Sequence, residues 1–150
     1  MSDATVFCQV QRIKFDKPVA KFEAEQLLEK FMVTIGEPLS YNKIILGHIK
    51  MLARASNENI FLFLSLTRLD HADVKPSPGW ANKNFTTVDG FELTVNVLVF
   101  GYSKAKVTEI VAAASEQIAA VSSKVKVKTN KMIAKLPAGK RQIGRLKKEK

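Results

Sequence analysis

The sequence predicts an α+β domain, a mainly antiparallel sheet of about four to five strands with two helices packed on it in the order βαβββα, followed by a basic C-terminal tail. Three observations lead there. Strand-like alternation and two helical periods interleave along the first 120 residues. The composition, 46% hydrophobic and 25% charged over 150 residues, suits one globular domain with a real core. The net charge of +10 is concentrated at one end.

The first strand begins with Val6, Cys8 and Val10 alternating with Phe7, Gln9 and Gln11. The apolar phase then slips to Ile13 and Phe15, which predicts a bulge near Gln11 and Arg12. Asp16 before Lys17-Pro18 has the character of a helix N-cap, and Ala24, Leu27, Leu28, Phe31 and Ile35 recur at helical spacing until Gly36 and Pro38. β-branched and aromatic residues dominate Ile44 to Ala55 and Ile60 to Leu69, and the turn residues Ser56-Asn57-Glu58-Asn59 between them predict a hairpin. Its second strand, Ile60 to Leu64, is apolar on both faces and is expected to be central and covered on each side, one cover being a second copy of the chain.

Residues 70 to 84, with Pro76, Pro78 and Gly79, break every period and are expected to form one long loop. Asp89-Gly90 reads as the turn of a tight hairpin leading into a strand with Phe91, Leu93, Val95, Val97 and Val99 on one face. Val107, Ile110, Val111, Ala114, Ile118 and Val121 mark the second helix. Lys124-Val125-Lys126-Val127-Lys128 then alternates as a short edge strand guarded by lysines.

These elements divide the chain into a domain over residues 1–123 and a mostly disordered basic tail over 124–150. The tail holds Lys124, Lys126, Lys128, Lys131, Lys135, Lys140, Lys147, Lys148 and Lys150, with Arg141, Arg145 and one acid, Glu149. Subtracting these from 24 basic and 14 acidic residues leaves 13 of each in the body. The tail is therefore the candidate site for an anionic partner, a nucleic acid or an acidic protein, with a merely solubilising role as the alternative. It contains no aromatic residue, so nucleic-acid binding by the tail would be directed at the backbone and be salt-sensitive.

No catalytic constellation is evident, and the expectation is a non-enzymatic protein without a cofactor. Phosphate loops need glycines at fixed spacing, and where Gly139-Lys140 could end one, Ala134 occupies the first glycine position. The best polar cluster is Asp70, His71 and Asp73, weak metal-ligand candidates that a loop could gather, though zinc requires three or four ligands at one point. Trp80 is either an interface anchor or a lid over the sheet edge. Cys8 alone excludes an internal disulfide framework and reads as a small core hydrophobe. The start, Met1-Ser2-Asp3-Ala4, lacks a secretory pattern, and no apolar run approaches the roughly 20 residues of a membrane span, so a cytoplasmic protein is expected.

The layout resembles the small C-terminal domain of the CobW family of metal-chaperone GTPases. The likeness runs through Phe15-Asp16-Lys17-Pro18-Val19, Gly47-His48-Ile49-Lys50-Met51, the Ile60-to-Leu69 strand, the Trp80 segment, the Phe91-to-Phe100 strand and the closing helix, covering residues 6 to 121. The P-loop and thiolate metal motif of that family's GTPase domain are not found, so no GTP-hydrolysing or metal-transferring residue is implied. What the resemblance implies is an accessory or interaction domain. A ferredoxin-like RNA-binding domain is the competing layout, but it calls for a helix where this chain has residues 70 to 84.

Overall fold

The computed structural model describes residues 3–55, 59–121 and 127–132, and only the backbone from residue 119 onward. Strand β1 (Ala4–Ala20) leads into helix α1 (Lys21–Gly36). A 3-10 turn (Glu37–Leu39) follows, then β2 (Ser40–Tyr41), β3 (Ile44–Arg54), β4 (Phe61–Arg68) and β5 (His71–Pro76). The chain continues through the single-turn helix α2 (Pro78–Ala81), β6 (Thr87–Phe100), α3 (Lys104–Val121) and β7 (Val127–Met132). The sheet runs β5-β4-β3-β6-β1-β7, with β2 beside β3, and every pairing is antiparallel. The α+β class and the β3–β4 hairpin agree with the sequence expectation, and the sheet is larger than the four to five strands anticipated.

One face of the sheet carries the core. Phe7, Ile13 and Phe15 of β1, Ile49, Met51 and Ala53 of β3, Leu62, Leu64 and Leu66 of β4, and the odd-numbered residues from Phe91 to Val99 of β6 are all buried. α1 seals this face with Ala24, Leu28, Phe31, Met32 and Ile35, and α3 with Val107, Ile110, Val111, Ala114 and Ile118. Each large aliphatic side chain among them contributes about 1.5–3 kcal/mol on burial. Alternation leaves the even positions of β1 and β3, those of β6 from Gly90 onward, and the odd positions of β4 on the opposite face, half-buried or exposed.

Several sequence expectations are corrected. The inner face of β1 is Phe7, Gln9, Gln11, Ile13 and Phe15, so Val6, Cys8 and Val10 point outward and no phase slip occurs at Gln11. Two glutamines stand where apolar residues were expected, and α3 offers a polar partner to one of them: Ser115 Oγ donates to Gln11 Oε1 at 3.2 Å. The bulge lies further on, because Lys14 pairs with Gly90 and the next pair is Val19 with Val88. Asp16, Lys17 and Pro18 fall within it, so Asp16 is not a cap. α1 starts at Lys21 behind Ala20, and Lys21 N–H donates to Thr86 O at 2.9 Å.

Asp89-Gly90 is not a turn either; β6 continues through it, with its inward phase changing between Val88 and Phe91. A Cβ on Gly90 would lie 2.3 Å from Ile13 O, so the glycine permits the close approach of β6 to β1. Residues 70–84 are not one loop but contain β5 and α2. β5 is an edge strand whose inner face is only Ala72 and Val74, too weak an alternation to register, and Pro76 at its end is tolerated where one neighbour suffices. β4, expected at the centre, is second from the edge, with Phe61 and Phe63 half-buried on the outer face.

Candidate interface on the open face of the sheet

All three described helices pack on one side. α2 belongs to that side because Trp80 stacks on the inward-facing Phe91, with centroids 6.0 Å apart, and its Nε1 donates to Glu25 Oε2 of α1 at 3.4 Å. Trp80 is 3% exposed and also packs against Phe85. It is therefore a core residue, and the reading as a surface anchor is corrected. Ser77 holds the arrangement in place: its hydroxyl donates to Asn59 O at 2.7 Å and accepts from the N–H groups of Phe61 and Trp80.

No described helix covers the other face, and its residues follow from register. Across β4, β3, β6 and β1, one row reads Phe61, Arg54, Glu92, Arg12. The next, starting from β5, reads Lys75, Phe63, Leu52, Thr94, Val10, and the third Asp73, Ser65, Lys50, Asn96, Cys8. Lys14 follows Arg12 outward on β1. Five cations, Arg12, Lys14, Lys50, Arg54 and Lys75, thus share a face with three acids, Glu92, Asp73 and Asp89. The helical side is opposite in sign: α1, the 3-10 turn and α3 hold Glu23, Glu25, Glu29, Glu37, Glu109 and Glu116 against Lys21, Lys30, Lys104 and Lys106. A body with no net charge is thereby polarised across its thickness.

Within the face, Glu92 stands between two arginines and bonds Arg12 Nη2 at 3.5 Å, leaving the row with a net positive charge. Arg12, Lys14 and Arg54 rim a shallow depression of about 300 Å³, with Asp89 and Glu92 as its acids and Gly90 and Phe91 in its floor. The opposite end of the face is apolar, where Val6, Leu46 and Phe100 are 46%, 49% and 43% exposed. Gly47 lies in this region at φ +138°, and a Cβ there would stand 1.9 Å from Leu98 O, so the close approach of β3 to β6 depends on glycine.

Asp70, His71 and Asp73 do not converge. Asp70 Oδ2 accepts from Arg68 Nη2 at 2.8 Å, and this bond holds its carboxyl below the ordinary aspartate range. His71 Nε2 lies 3.0 Å from Asp73 Oδ1, both exposed on the edge strand. Among the described residues no group of three or more His, Cys, Asp or Glu is placed to hold a metal ion. Cys8 is half-buried on the outer face, and its thiol is pushed up by burial, against a smaller opposing influence of Lys104.

Of the tail cations, Lys128 and Lys131 belong to β7, which pairs with β1 so that Lys128 lies opposite Lys14 in register. Lys124, Lys126, Lys135, Lys140, Arg141, Arg145, Lys147 and Lys148 lie outside the described residues. No described helix is long and apolar enough to cross a membrane. The outer-face set was not singled out from sequence, although its signal is there: Arg12 and Lys14 alternate with Ile13 and Phe15, and Lys50 and Arg54 with Met51 and Ala53. Searches of family models, curated proteins and solved structures return no match to this chain.

Proposed function

We propose that the chain is a non-enzymatic binding module for an anionic partner, nucleic acid foremost, which engages the open face of the sheet and the basic C-terminal segment together. The observation that carries this reading is the segregation of charge. All of the net charge of +10 resides in residues 124–150, and the neutral body turns five cations and three acids to the open face, at whose edge residues 127–132 of that segment pair with β1. Lysine and arginine spread over such a surface neutralise phosphates and release counterions, an effect that operates without sequence recognition. An accessory role fits the resemblance in layout to the CobW C-terminal domain.

The test is a salt-series titration of the full-length protein against RNA, DNA and an acidic polypeptide. Binding to a nucleic acid at near-physiological salt is expected, with a linear fall in log K against log salt. Arg12→Gln with Arg54→Gln should lower the magnitude of that slope by about 0.7–0.9 for each phosphate left without its cation. Replacing the lysines and arginines of 135–148 by glutamine should lower it further. No binding by the intact protein, or an unchanged slope in both variants, refutes the reading.

A further inference from the structure

The cations of the open face are interleaved with two aromatic rings. Phe61 and Phe63 stand at i and i+2 on β4, both half-buried, on the same face as Arg54, Lys50 and Lys75 of the flanking strands. In register, Phe61 faces Arg54 and Phe63 faces Lys75 on one side and Leu52 on the other. We propose that this surface binds single-stranded nucleic acid, with bases stacked on Phe61 and Phe63 and the phosphate backbone held by Arg54, Lys75 and Arg12. The proposal rests on the reading above that the partner is anionic, and it names the partner's class.

Geometry favours a single strand. Residues two apart on a strand are separated by about 7 Å, twice the ~3.4 Å rise per nucleotide of a stacked strand, so the two rings suit bases splayed apart. Strands lie about 4.8 Å apart, which puts the cations of β3 and β5 one strand from the rings and Arg12 of β1 three strands away, about 14 Å. A backbone crossing the sheet from β5 toward β1 would meet positive charge on both sides of the bases. A duplex offers no free base faces to the rings, and an acidic peptide would use the cations but not the rings. The face also supplies what the basic segment lacks, since residues 124–150 contain no aromatic side chain.

The experiment titrates full-length protein with three labelled probes of about 12 nucleotides, within the ~4–16 span of single-strand sites: an oligothymidine, an abasic phosphodiester chain of equal length, and a duplex. The base-bearing single strand should bind at least about tenfold more tightly than the abasic chain. Phe61→Leu with Phe63→Leu, which keeps apolar cover over the sheet, should abolish that preference and leave abasic affinity unchanged, with the fold verified by circular dichroism. Photo-crosslinking of an iodouracil-containing strand to the wild-type chain gives a test independent of the variant's folding: adducts should map to Phe61 or Phe63, and adducts confined to other segments would overturn the proposal. Equal affinity for abasic and base-bearing chains, or tighter binding of the duplex or of an acidic polypeptide, would also overturn it while leaving anion binding standing. Failure to bind any polyanion would remove the underlying reading as well.

Discussion

The two faces of the sheet share every strand and differ in nearly everything else. Leu62, Leu64 and Leu66 of β4 are fully buried beneath the helices, while their neighbours Phe61, Phe63 and Ser65 are half-buried on the other side. The inner face is selected by volume: of its two buried glutamines, Gln11 meets Ser115 of α3. The outer face is free of that constraint and carries cations, aromatic rings and an apolar end side by side. Stability and the proposed recognition thus fall to alternate residues of the same segments, so a substitution should disturb one with little effect on the other.

Leu64→Ala should have the largest effect, lowering stability by about 2–5 kcal/mol in chemical denaturation, because a fully enclosed leucine leaves a cavity. Leu52→Ala on the outer face should cost clearly less; an equal cost would mean that the outer face is covered in solution and would break the comparison. A smaller effect tests the polar exception on the inner face. Ser115→Ala should destabilise by about 1–3 kcal/mol by leaving Gln11 buried without its partner, and adding Gln11→Leu should recover most of the loss, since replacing both partners is close to neutral.

The smallest expected effect concerns pH. Burial raises the Cys8 pKa in the folded state, so the native protein holds this proton more tightly than the unfolded chain. The resulting stability is present below the unfolded thiol's pKa and is lost as pH rises through the folded value. Alkylation of the native protein should therefore begin at a higher pH than alkylation in denaturant. Coincident pH profiles would place Cys8 in a more open setting than the rest of the half-buried outer face.

Where local sequence and tertiary context agree, the reading from residues holds: the end of α1 at Gly36, the β3–β4 hairpin and the inner face of β6 were all legible. The errors share one physical cause, that long-range pairing overrides local signals. Asp89-Gly90 has turn chemistry, but its glycine answers to Ile13 O, far away in the sequence. Val6, Cys8 and Val10 look like a core stripe until α3 provides for Gln11 on the opposite side. The candidate interface was hidden in the same way, because Arg12, Arg54, Phe61 and Lys75 belong to four strands whose order no local pattern reveals.

A long-range partnership sets a timetable for the biogenesis of this fold. β1 finds its main partner in β6, with Ala4 opposite Phe100 and Lys14 opposite Gly90, about 75 to 95 residues apart in the chain. At about 5–20 residues per second, a ribosome needs several seconds to deliver β6 after β1 has been made. Throughout that interval a 17-residue strand waits with its backbone groups unpaired and its apolar positions uncovered. The β3–β4 hairpin, local in sequence, can form early and serve as the template on which β6 pairs first and β1 after it. β1 is thus made well before either of its partner strands and is secured only once β6 has emerged, which makes it the strand of this fold longest exposed to wrong pairing.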